Sequence, residues 1–287
     1  YRVFDYCRQG DYRPPTPREL KLYVNQIGAI HRQWEHEFKL KHVAFYVLEY
    51  RRHGSLIPRL RGKGFPDKEA SRLFGDDLKS SLAGLAFNTN PSKGLDLLLA
   101  DPILNALAAS NAERLCQLAG DHNQGFWSVL ERVADQEFKK SNPELLCAVS
   151  RCLYDSKLFR EINTPEQGIV LAQLGHAAKE TSDWGPFSES MSDGCCKLLE
   201  LQRDHVVTEN IVEKVRLTYS QLIHGGKGSP KPQATISDLA AIIHAAEKIG
   251  HAEATVAGFA VRFLPKDWVI ACNELQRISE DCSITAK

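Results

Sequence analysis

The chain has 287 residues, of which 43% are hydrophobic and 25% charged. That balance is ordinary for a soluble globular protein and excludes wholesale disorder, and 13 prolines and 19 glycines are too few for a collagenous or low-complexity chain. No stretch approaches ~18 uncharged apolar residues, so a transmembrane helix is excluded. Lys and Arg number 36, as do Asp and Glu, but the balance is uneven along the chain. Residues 1–64 hold 13 Lys/Arg against 6 Asp/Glu, and the other 223 hold 23 against 30. A basic end of this kind points to an anionic partner, against the plainer alternative of an unevenly composed solvated surface.

Taken in order, residues 1–15 interleave Tyr1, Phe4, Tyr6 and Tyr12 with Arg2, Arg8 and Arg13 and end on Pro14-Pro15. They read as an extended arm. Thr16-Pro17-Arg18-Glu19 then supplies an N-cap, a proline at N1 and an acid at N3, which is a capping box. Leu20, Val24, Ile27, Ile30, Trp34 and Phe38 follow at helical spacing, and Val43, Val47 and Tyr50 extend the face to Gly54. A break is expected near Gly28 or around residues 38–40.

Residues 54–66 read as a basic, glycine-bearing loop. Further helix starts are expected near Ser110, Asn142, Thr164, Thr208 and Ser237. Ala252 to Phe263 reads as a partner helix ended by Pro265, with a last helix from about Lys266. Residues 225–234 are rich in Gly, Pro and Lys and read as an exposed loop. Strand signals are nearly absent.

These signals predict an all-α protein of about eleven to thirteen mostly short helices. Stacked helical hairpins are expected, in an irregular α-solenoid or a helical bundle, behind an extended basic N-terminal segment. The starts are separated by 32, 22, 44 and 29 residues, which is not the fixed step of about 33–34 that tetratricopeptide or ankyrin arrays keep. The division expected is a basic part, 1–66, with arm, long helix and loop, and a helical repeat-like domain, 67–287.

No motif names a reaction. GxGxxG and GxSxG are absent, and HGGKGSPKP (224–232) lacks the spacing of a phosphate loop. His31, His36 and His42 are spaced by five and six, wrong for two ligands on one helical face. His244, among Ala and Ile, reads as a core or groove histidine. None of the eight cysteines forms a CxxC pair. Cys116, Cys147, Cys272 and Cys282 sit among apolar residues and read as reduced core thiols, which favours a reducing compartment. No enzyme activity, cofactor, metal or small-molecule substrate is expected.

The richest constellation is the basic run Arg51, Arg52, Arg59, Arg61 and Lys63. Clustered Lys and Arg neutralise phosphates and release counterions. Gly54, Gly62 and Gly64 allow close backbone approach, and Tyr46, Tyr50 and Phe65 offer rings for base stacking. These five basic residues are the expected nucleic-acid contacts.

Segments 126–158 and 234–261 resemble the helical-hairpin repeats of the octotricopeptide and heptatricopeptide classes and of the regions that precede RAP domains. Leu239, Ala240, Ile242, Ala245, Ala246 and Gly250 match their Leu-Ala-x-Ile-x-x-Ala-Ala-x-x-x-Gly-like helix. No RAP-like terminal domain is evident. The resemblance implies a mitochondrial or plastid protein that binds RNA, or a subunit of an organellar ribonucleoprotein. The function expected is therefore a structural, RNA-contacting component of the mitochondrial ribosome, in the matrix, with rRNA and neighbouring proteins as partners. The alternative is a protein–protein scaffold or accessory subunit of a mitochondrial complex without RNA contact.

Overall fold

The computed structural model describes residues 15–34, 37–62, 64–140, 142–181, 184, 189–202, 205–221, 223–224, 232–248, 262–263 and 265–281. The fold is all-α. In chain order the helices are α1 (Pro17–Gln33), α2 (Leu40–His53), α3 (Ile57–Arg61), α4 (Lys68–Phe74), α5 (Leu78–Phe87), α6 (Pro91–Ala108) and α7 (Ala112–Glu137). They continue as α8 (Pro143–Asp155), α9 (Pro165–Glu180), α10 (Glu189–Gln202), α11 (His205–Gln221), α12 (Pro232–Lys248) and α13 (Trp268–Asp281). The 3-10 turns Phe138–Lys140 and Pro265–Asp267 complete the helical elements.

Local chemistry sets many of these boundaries. The Thr16 hydroxyl accepts from the Glu19 N–H at 3.3 Å, and the Glu19 carboxylate accepts from the Thr16 N–H at 2.7 Å. Thr164 and Gln167 repeat this box at α9. Asn111 and Asn142 cap α7 and α8 through bonds of 2.9 Å from the N–H groups of Arg114 and Leu145. Each such cap is worth about 1 kcal/mol.

Of the two breaks expected in the long first helix, the one around residues 38–40 is present: α1 ends at Gln33 and α2 starts at Leu40, with Phe38 buried just before it. Helix α7 starts beside Ser110 as expected, with Asn111 as its cap, and the Ser110 hydroxyl donates to the Ala148 carbonyl at 3.0 Å. The departures from expectation have causes. Part of the expected loop 54–66 is helical, because Leu56 and Leu60 are buried and pin α3 down. Helix α11 begins at His205, before the buried Thr208. Helix α12 starts at Pro232 rather than Ser237, since proline's fixed φ suits a first helical position. The expected partner helix falls mostly outside the described residues, but its last two are not helical. Arg262–Phe263 pairs in parallel with Ile223–His224 as a two-residue bridge.

The chain forms two compact units. The first comprises Tyr1–Pro102 and Leu118–Val129. Here α1 packs on α2, and α2 and α3 pack on α5. Tyr23, Phe38, Val43, Val47 and Leu85 form a core against which Ile27, Ile30, Trp34 and Tyr46 pack. Leu20 and Val24, expected on the buried face of α1, are exposed. Gly84 and Gly94 let α5 and α6 meet backbone to backbone: a Cβ on Gly94 would lie 2.3 Å from the Gly84 nitrogen.

Inside this unit His42 is fully buried, against Ser81 Oγ through Nδ1 and the Phe74 carbonyl through Nε2, each at 2.9 Å. It ties α2 to α4 and α5.

The second unit comprises Ile103–Gln117 and Leu130–Lys287. Helix α8 packs on α10, α10 on α12 and α12 on α13, while α9 packs on α11 and on the Phe138–Lys140 turn. Gly194 permits the α8–α10 contact, since a Cβ there would lie 2.5 Å from both Cβ and carbonyl oxygen of Cys147. Cys147, Cys152 and Cys195 are buried free thiols, and Cys116 and Cys196 are half-buried. Burial pushes the thiols of Cys147, Cys152 and Cys196 up to about 12 and that of Cys195 well up. Cys272, expected in the core, is exposed on α13, because its face carries solvent-facing residues from Trp268 onward; Cys282 lies outside the described residues. His244 is also exposed rather than in the core.

Candidate nucleic-acid interface

The basic run is distributed over two helix ends. Arg51, Arg52 and His53 form the last turn of α2, and Arg59 and Arg61 the last turn of α3. Cations in a last turn interact favourably with the partial negative charge of the helix C-terminus, so part of this clustering serves the helices themselves. Gly54 ends α2 at φ +70°, and its N–H closes the turn on the Tyr50 carbonyl at 2.8 Å. Gly64 at φ +74° likewise supplies a backbone conformation that other residues rarely adopt.

Helix geometry separates the two arginines of α3. Residues two apart point about 200° away from each other. Arg59 is half-buried and Arg61 exposed. The Arg59 guanidinium donates through Nη1 to the carboxylate of Glu49, which is only 5% exposed. Its carbon also sits 4.2 Å from the centroid of the Phe65 ring, which packs against Phe45 at 6.3 Å. Arg59 thus has an anion and an aromatic face inside the fold. Glu49, Arg59, Phe45, Phe65 and Asp67 line a cleft of about 290 Å³.

The remaining arginines face outward. Arg51 donates through Nε to the neutral Gln26 side chain at 2.7 Å, which fixes the side chain and leaves its charge uncompensated. Arg52 and Arg61 are exposed and pair with no carboxylate among the described residues. Lys63 lies outside the described residues, as do 1–14 and 225–231. Glu49 matches no motif in the sequence. It is the only carboxylate between Glu37 and Asp67, and its isolation in a basic segment is the signal that could have found it.

The three aromatic candidates also separate. Tyr46 packs against the core and Tyr50 stacks on it, with centroids 5.7 Å apart and ring planes at 26°. Phe65 is engaged with Arg59 and Phe45. His31 lies on α1 and His42 on α2, and His36 is outside the described residues. Among the described residues no group of three or more His, Cys, Asp or Glu is placed to hold a metal ion, and no helix is long and apolar enough to cross a membrane. No protein-family model matches the chain, and no curated protein or solved structure matches it significantly.

Proposed function

We propose that this protein is a non-catalytic, RNA-contacting structural component of an organellar ribonucleoprotein, with the mitochondrial ribosome as its host and rRNA and neighbouring proteins as partners. The observation that carries this reading is the set Arg51, Arg52 and Arg61. They present charge at the surface of α2 and α3, with no carboxylate paired to them among the described residues. They lie in a segment with 13 basic and 6 acidic residues. Such a surface grips phosphates by releasing counterions and needs no base readout. Lys63 belongs to the same contact set. Arg59 supports it from within by bracing Glu49 and Phe65. The neighbour order α8, α10, α12, α13 beside α9 and α11 suits stacked hairpins that offer surfaces to adjoining proteins.

A scaffold without RNA contact is favoured by a different observation. Trp268, Val269 and Ile270 are consecutive and all exposed. Exposed apolar residues in succession suit a protein partner. Sedimentation of the native complex before and after ribonuclease treatment decides between the two. RNA-dependent sedimentation supports the first reading, and sedimentation with protein partners that survives complete RNA digestion overturns it.

A further inference from the structure

We propose that the outer face of Tyr50 is a stacking platform for one unpaired base of single-stranded RNA, which extends the Tyr46–Tyr50 pair by one ring. The proposal rests on the RNA-contacting reading above and deepens it by naming the state of the RNA and the residue that meets its base.

Three rings in the basic segment are chemically able to stack, and the structure separates them. Phe65 has the Arg59 guanidinium over its face at 4.2 Å and Phe45 beside it. Tyr46 packs against the core cluster that includes Tyr23, Val43 and Val47, and it stacks with Tyr50. Tyr50 is different: it rests on Tyr46 at 5.7 Å and 26° and is 52% exposed. The two are one helical turn apart on α2, so the spacing that stacks them also holds Tyr50 outward. A ring backed by an anchored ring loses little freedom when a base lands on it.

The charges beside this ring fit the same ligand. Arg51 is the next residue and is held by Gln26 at 2.7 Å; Arg52 follows, exposed. A phosphate beside the stacked base thus has cations within reach of the same helical turn. Neutral stacking and cationic phosphate contact together are how proteins hold single strands without sequence preference. Bases inside an RNA duplex are already stacked and paired and do not present this face.

The test compares Tyr50→Ala, Tyr50→Phe and the unaltered full-length protein. The probes are a ten-nucleotide oligouridine and a blunt ten-base-pair RNA duplex, at 50 mM salt. Tyr50→Ala is expected to weaken oligouridine binding about 5- to 100-fold, the range for losing one base–aromatic stack. Duplex binding is expected to stay within about twofold, because phosphate contacts carry it. Tyr50→Phe keeps the ring and is expected to keep the affinity. Equal binding of oligouridine by Tyr50→Ala and the unaltered protein overturns this proposal alone. An equal loss on both probes also overturns it, since it shows a general effect of the substitution. Failure of the unaltered protein to bind either probe overturns the RNA-contacting reading and this one together.

Discussion

Arg59 donates to the carboxylate of Glu49, ten residues earlier in the chain, and that pair gives a half-exposed arginine of the basic run a role within the fold. A buried carboxylate without a partner is costly, because water no longer solvates it. Arg59→Ala is therefore expected to destabilise the protein by about 2–4 kcal/mol, toward the lower end because the arginine itself is partly exposed. Adding Glu49→Gln should recover part of the loss. Urea denaturation of the two single variants and the double variant checks this. Equal stability of Arg59→Ala and the unaltered protein would show that the pair contributes nothing.

His42 makes stability depend on pH. Its Nε2 faces a carbonyl oxygen, so that nitrogen carries the proton and Nδ1 accepts from the Ser81 hydroxyl. Burial lowers the His42 pKa below its ordinary value, against the opposing pull of the Phe74 carbonyl and the Asp77 carboxylate, while Lys41 and Lys39 reinforce the lowering. The neutral ring is thus favoured in the folded state. Its contribution is complete above the unfolded value near 6.5 and is lost as pH falls from there toward the folded value. The slope is at most about 1.4 kcal/mol per pH unit. Denaturation midpoints between pH 8 and 5 should show this fall, and His42→Gln should flatten it.

The close helix crossings give a packing prediction. Gly94→Ala would push a methyl group into the Gly84 backbone, and Gly194→Ala into Cys147. Neither obstacle is a flexible side-chain tip. Each substitution is expected to cost at least about 1–3 kcal/mol, the usual range for overpacking. Gly28→Ala, where nothing lies within 4 Å, is the control and is expected to be neutral or slightly stabilising. Thermal denaturation of the three variants makes the comparison.

The thiols sort by burial. With their pKa values pushed to about 12, Cys147, Cys152 and Cys196 hold almost no thiolate at pH 7.5, and Cys195 is buried among them. Alkylation with iodoacetamide followed by mass spectrometry should label the exposed Cys272 in the folded protein and leave these four unmodified until denaturant is added.

The helical class was legible in the sequence because caps and apolar spacing are local. Thr16, Thr164 and Asn142 announce their helices within four residues, and each does so in the structure. What local pattern does not encode is which turns of an apolar face find a neighbour. Leu20 and Val24 continue the stripe of α1, yet Tyr23 is the buried residue of that helix.

The same limit applied to the basic run. Spacing placed Arg59 beside Arg61, but only the fold, by burying Leu60 between them and bringing Glu49 alongside, assigns them opposite surroundings. His42 belongs to a histidine series by spacing, but its partners Ser81 and Phe74 are more than thirty residues away, beyond the reach of any spacing rule.

The salt dependence of RNA binding tests the central claim most directly. Each phosphate neutralised on a single strand adds about 0.7 to the slope of log affinity against log salt. Replacing Arg51, Arg52 and Arg61 together with alanine is expected to lower that slope by about 2 and to weaken binding at low salt. An unchanged slope and affinity in the triple variant would contradict the account.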